Sequence, residues 1–183
     1  DIILEDDFDL SKIINQIKDV NDLEGKNVKP KIAVYGFVPT VAQRCNDYSW
    51  ISTLNEYSNF SCFISSSSNR KNHGLFWGSD SKLYPIFDTV EEALEYDKDI
   101  NIVFNFASHR SASDVTVELL NYEQIKLIYI VAEGIPERKS LYLKNQAKNK
   151  NKIILGPSSV GCLFPNSFRI GNAGGNNDNI IQN

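Results

Sequence analysis

Two stretches of this chain concentrate groups that hold phosphate. Ser65, Ser66, Ser67 and Ser68 run up to Arg70 and Lys71, and Ser108, Arg110 and Ser111 follow closely on Phe106. Hydroxyls donate hydrogen bonds to phosphate oxygens, and Arg and Lys neutralise charge, Arg through a planar fork. Phe106 adds an aromatic face that can stack on a ring. Further on, Glu133 in Val131-Ala-Glu-Gly-Ile-Pro136 can accept hydrogen bonds from ligand amides or hydroxyls. Gly156, Pro157, Ser158 and Ser159 open a loop of small residues, and residues 169–175 form a second, Gly-rich and donor-rich one. Taken singly, each stretch is equally an ordinary solvated turn or a helix start capped by Ser108 or Ser111.

Several other chemistries find no motif. The loop after residues 31–36 has a single glycine, Gly36, rather than GxGxxG, although a helix beginning near Thr40 can offer N–H groups to one phosphate. No GxxxxGK[ST] loop and no GxSxG elbow occurs. His73 and His109 are far apart and read as surface residues, and the 3 cysteines, Cys45, Cys62 and Cys162, include no CxxC. A zinc site or disulfide framework is not expected, and the reducing cytoplasm is the expected compartment. A formal net charge of -4 gives no footprint for nucleic acid. No run of about eighteen apolar residues suggests a membrane span, and the acidic start is unlike a signal peptide. The absence of methionine and the ending in Ile-Ile-Gln-Asn read as cuts within a longer chain.

The elements that must position these groups alternate. Residues 31–36, 59–64, 101–105, 126–131 and 152–155 are apolar runs of strand length, with a short extended piece at 84–87. Helical patterns cover 40–45, 88–95, 111–120 and 136–149, and 65–74 reads as a polar loop. Asp88 or Thr89 is placed to cap the second helix, whose first turn carries Glu91 and Glu92. Residues 1–29 read as a short amphipathic helix on Leu10, Ile13, Ile14 and Ile17 followed by a linker, and 30–183 as one domain. The expected fold is α/β, Rossmann-like, a mostly parallel sheet with helices on both faces. Ligands then sit beyond the carboxyl ends of strands, after Gly36, Ile64, Asn105, Val131 and Leu155.

Read in order, Asn105-Phe-Ala-Ser-His-Arg-Ser111, Ala132-Glu-Gly-Ile-Pro-Glu137, Gly156-Pro-Ser-Ser-Val-Gly161 and Arg169-Ile-Gly-Asn-Ala-Gly-Gly175 resemble the coenzyme A-binding domain of ATP-citrate lyase. Leu75-Phe-Trp-Gly78 and Leu83-Tyr-Pro-Ile-Phe87 extend the likeness, which runs from about Lys31 onward. The alpha subunit of succinyl-CoA synthetase is similar more distantly. The resemblance implies coenzyme A (CoA) as the ligand. Ile64, Ser65, Ser66, Ser67, Arg70 and Lys71 would lie at its nucleotide end. Phe106, Ser108, Arg110, Ser111 and Glu133 would also contact it, and Gly156, Pro157, Ser158 and Ser159 would face the active centre. Ser67 stands where the lyases carry an aromatic residue. The resemblance further implies an oligomeric parent whose other domains or subunits use ATP and Mg to phosphorylate a histidine. No segment here resembles those domains, so the chain alone should not complete the reaction. A succinyl-CoA synthetase fragment, a non-catalytic CoA- or nucleotide-binding module and an NAD-binding domain are the alternatives.

Overall fold

The computed structural model describes residues 29–164 and 167–171. The helix expected before residue 29 lies outside them. The strands are β1 (Ile32–Tyr35), β2 (Phe60–Ile64), β3 (Asn72–Trp77), β4 (Asp80–Phe87), β5 (Ile102–Asn105), β6 (Leu127–Ile130) and β7 (Ile153–Leu155). The helices are α1 (Pro39–Ser52), α2 (Val90–Tyr96), α3 (Ala112–Leu120) and α4 (Glu137–Asn149). One sheet holds all seven strands in the order β3-β4-β2-β1-β5-β6-β7. Every pairing in it is parallel except that of β3 with β4.

The central strands are apolar at nearly every position because both faces are covered, Ser61 of β2 and Asn105 of β5 being the polar exceptions. Ile32, Val34, Ile102, Phe104, Leu127 and Tyr129 point to one face, where Val41 and Cys45 of α1 meet them. Ala33, Val103, Ile128 and Ile130 point to the other, against α2, α3 and α4. A second, two-stranded sheet, β8 (Gly161–Phe164) with β9 (Phe168–Gly171), completes the first face. Its Phe168 and Ile170 are buried among Phe104, Tyr129 and α1.

The five strands expected from sequence are present, and four elements differ from the expectation. The piece at 84–87 is the end of an eight-residue strand, β4, antiparallel to β3 and parallel to β2 at Ile86 and Phe87. The expected loop 65–74 stops at Lys71, because Asn72 and His73 pair with Pro85 and Tyr84. The helix expected over 40–45 runs from Pro39 to Ser52. Arg169 to Gly171 belong to β9, and the remainder of the Gly-rich stretch lies outside the described residues. The second helix is capped by Thr89, with Glu92 closing a capping box. His73 is half-buried rather than a surface residue, its ring edge-on to Phe37 at 5.1 Å.

Candidate functional site

Parallel pairing in register brings the carboxyl ends of the strands to one rim. Tyr35 lies opposite both Ile64 and Asn105, Asn105 opposite Ile130, and Ile64 opposite Phe87. The ladder continues one step into the loops: Gly36 N donates to Ile64 O at 2.7 Å, Phe106 N to Tyr35 O at 2.9 Å and Ser65 N to Phe87 O at 2.7 Å. At about 4.8 Å per strand, Ser65 and Phe106 leave the sheet about 10 Å apart, with Val131 about 5 Å beyond.

The order of strands reverses between β1 and β5. The chain turns from β1 into α1 on one face and from β5 into α3 on the other. Such a switch point opens a crevice between two helix starts. Here its walls approach closely. Gly36 has φ +107, and a Cβ on it would stand 3.1 Å from the Cβ of Phe106. Glycine's freedom is needed both for the turn and for this contact.

Asn105 organises the loop after β5. It is fully buried, and its amide donates to Ala112 O at 3.0 Å and Thr116 Oγ1 at 3.1 Å. Its carbonyl oxygen accepts from Ala107 N at 2.9 Å. One side chain thus ties the strand end, the loop and the first turn of α3 together. Ser111 occupies the N-cap position but makes no side-chain bond to the helix. Its hydroxyl lies 3.2 Å from that of Ser108 instead, and Ser108 O accepts from Ser111 N and Ala112 N. Arg110 is exposed, with no carboxylate in ion-pair range among the described residues. Phe106 is half-buried with its ring edge-on to Phe104 at 4.8 Å. Only part of its face is therefore open to stacking.

Across β1, Ile64 is buried in the sheet and Ser65 beneath the loop. Ser66, Ser67 and Arg70 are exposed. Lys71 is exposed too and pairs with Asp88 at 3.3 Å.

Beyond β6, Glu133 is exposed. The Gly156–Ser159 loop is stitched beside it, since Ser158 N donates to Ala132 O at 3.0 Å and Ser159 N to Ile130 O at 3.3 Å. Gly156, at φ +112, passes so near β6 that a Cβ would fall 2.3 Å from Ile130 O. The Tyr129 hydroxyl accepts from Gly161 N at 2.8 Å and bonds the Ser159 hydroxyl. Burial raises this phenol's pKa, and the bond from Ser159 opposes that. Tyr129 and Asn105 are the positioning groups that sequence reading passed over. Tyr129 looks there like one more strand aromatic, and Asn105 like a strand end.

The candidate residues thus fall into three groups on one rim: 64–71, 106–111, and Glu133 with 156–159. The first carries two cations and several hydroxyls, the second a cation at a helix start, and the third a carboxylate beside a tight loop.

No family model matches the chain. It is 37% identical over 155 residues to a probable ATP-citrate synthase subunit 1 from Neurospora crassa, covering 85% of this chain and 23% of the relative. It is 36% identical over 151 residues to ATP-citrate synthase from Bos taurus, covering 82% of this chain and 14% of that one. Among solved structures it superposes with a TM-score of 0.77 and 34% identity on Methanosaeta concilii ATP citrate lyase, a D541A mutant in complex with (3S)-citryl-CoA. That match covers 84% of this chain and 25% of the other. ATP citrate lyase from Methanothrix soehngenii, in complex with citrate and coenzyme A, gives the same values. The chain therefore spans less than a quarter of the length of these curated relatives. Over most of its length, and on a shared fold, the chain is thus similar to one segment of these longer ATP-citrate synthases and ATP citrate lyases.

Proposed function

We propose that this chain binds coenzyme A along the carboxyl rim of its sheet and holds the thiol for thioester formation within an ATP-citrate lyase. The observation that carries this reading is the common fold, at 34% identity, with a lyase whose structure holds citryl-CoA. The groups on the rim suit that ligand. Arg70, Lys71 and Arg110 offer charge to its phosphates, Ser65, Ser66, Ser67, Ser108 and Ser111 offer hydroxyls, and Glu133 accepts from pantetheine amides. The Gly156–Ser159 loop, fixed beside Glu133, is where the thiol would face a neighbouring domain.

In the whole enzyme, ATP with Mg would phosphorylate a histidine elsewhere, and citrate would take the phosphoryl group. The CoA thiolate then attacks the acyl phosphate and releases phosphate. The resulting citryl-CoA is cleaved to acetyl-CoA and oxaloacetate. This chain's share is orientation, which turns an encounter between thiol and acyl phosphate into a near-unimolecular step. We place the protein in the cytoplasm, since Cys45, Cys62 and Cys162 are all free thiols, and in an oligomer formed through other domains. No helix among the described residues is long and apolar enough to cross a membrane.

Calorimetric titration of the purified chain tests the reading, with NADH as competitor. CoA should bind at up to about millimolar concentration, and NADH should not displace it. Arg110→Ala should weaken CoA by about tenfold to a hundredfold, the worth of a charge-assisted bond, without moving the melting temperature. Equal affinity for NADH, or an Arg110→Ala variant that binds CoA normally, would count against it.

A further inference from the structure

At the end of the sheet away from the rim, the amino ends of β6 and β7 crowd lysines together. Leu127 pairs with Ile153 in register, and Ile153 N donates to Lys126 O at 2.9 Å. Lys126 and Lys152, each one residue before its strand, therefore stand side by side on one face, their backbones about 5 Å apart. Lys150, the C-cap of α4, lies two residues away. Both neighbours are near enough to repel the charge of Lys152.

Lys152 is half-buried, and its Nζ donates to Tyr122 O. The exposed Glu123, in the loop after α3, favours its cation. Burial, joined by the repulsion from Lys126 and Lys150, outweighs Glu123 and brings the amine down to about 8. A neutral amine still has an N–H for Tyr122 O, and its lone pair is then free to act as a nucleophile.

Lys152 also lines an open groove of about 590 Å³ between β7 and α4. Leu143, Ala147, Ile153 and Ile154 give that groove apolar walls, which suit a short acyl chain. Lys144 and Lys148 line it too, but both are exposed.

We propose that Lys152 is a site of covalent acylation by thioesters. Its free amine adds to the thioester carbonyl carbon. A C–N bond forms, the C–S bond breaks, and the leaving thiolate takes up the proton that the nitrogen sheds. The acyl group lies along Leu143, Ala147 and Ile153, the new amide N–H keeps the bond to Tyr122 O, and one positive charge leaves the crowded cluster. Thioesters are what the proposed CoA chemistry makes, but this reaction needs nothing bound at the rim.

Peptide mapping by mass spectrometry tests this on the 183-residue chain, after brief exposure to S-acetyl-N-acetylcysteamine, a thioester without a nucleotide. Near pH 8 an amine titrating there is about a hundredfold richer in free base than an ordinary lysine, and its weaker nucleophilicity gives back about tenfold of that. Lys152 should therefore acquire acetyl about tenfold faster than Lys144 and Lys148, and its rate should level off above about pH 8. The double variant Lys126→Gln/Lys150→Gln removes the repulsion. It should slow Lys152 by about threefold and move its plateau to higher pH, with Lys144 and Lys148 as internal standards. Urea should abolish the preference. Circular dichroism checks the fold of the variant, and if it does not fold, the pH profile of the unsubstituted chain decides. Equal labelling of the three lysines in the folded chain would overturn the proposal. So would a preference that persists in urea, a rate at Lys152 that climbs without a plateau, or a folded double variant labelled as fast as the parent.

Discussion

At the residue scale, the site depends on buried groups that never touch a ligand. Asn105 fills its amide and carbonyl valences inside the protein. Asn105→Ala should therefore cost about 1–3 kcal/mol in urea denaturation, because it takes away the acceptor of the Ala107 N–H. It should also weaken CoA binding by freeing the loop that carries Arg110. The thiols make a second prediction. Burial pushes Cys45, Cys62 and Cys162 from 9.0 up to about 12, so iodoacetamide at pH 8 should label them only after denaturant is added. The same shifts set a pH dependence. The unfolded thiols ionise near 9.0 while the folded ones keep their protons. Their contribution to stability is whole below pH 9.0 and is lost as pH rises toward 12. Tyr84 and Tyr129, also raised by burial, add to the loss. Lys152, lowered from 10.5 to about 8, opposes it between those values, so the fall in denaturation midpoint should be steepest above 10.5. The rim's hydroxyls and cations were legible in sequence because their types are unusual at strand ends. Tyr129 was not, since nothing local distinguishes a phenol that pins a loop from one that fills a core.

At the element scale, what was legible followed local signals. Thr89 with Glu92 is a capping box written in sequence, and Thr89→Ala should cost about 0.5–2 kcal/mol. The five apolar strands stood out because a parallel sheet buried on both faces needs apolar residues at consecutive positions. β3 was hidden because it is an edge strand, antiparallel to β4, with Asn72, Gly74 and Phe76 exposed. Such a strand lacks the continuous apolar run, and its polar start merged with the loop before it. The β8–β9 hairpin was hidden because its strands owe their burial to α1 and Tyr129, which are distant in sequence. Strand position also sets mutational cost. Ile128 is fully buried in β6, whereas Ile154 is half-buried on the edge strand β7. Ile128→Ala should cost about 2–5 kcal/mol in chemical denaturation, and Ile154→Ala less than about 2 kcal/mol, in proportion to the smaller area it buries.

At the scale of the whole molecule, one reversal of strand order does the positioning. It separates α1 from α3 to opposite faces and leaves the loops after β2, β1, β5 and β6 side by side along one rim. Residues as far apart in sequence as Ser65 and Glu133 share that rim because parallel strands in register must end together. The fold class was readable from the alternation of elements, but the strand order that assembles the rim was not, because it depends on which way each crossover turns. Hydrogen exchange of the chain with and without saturating CoA measures the result directly. Peptides spanning 64–71, 106–111 and 131–134 should exchange more slowly with CoA bound, while 78–82 and 121–126 should not change. Protection confined to other regions, or none at saturation, would contradict the proposed binding rim.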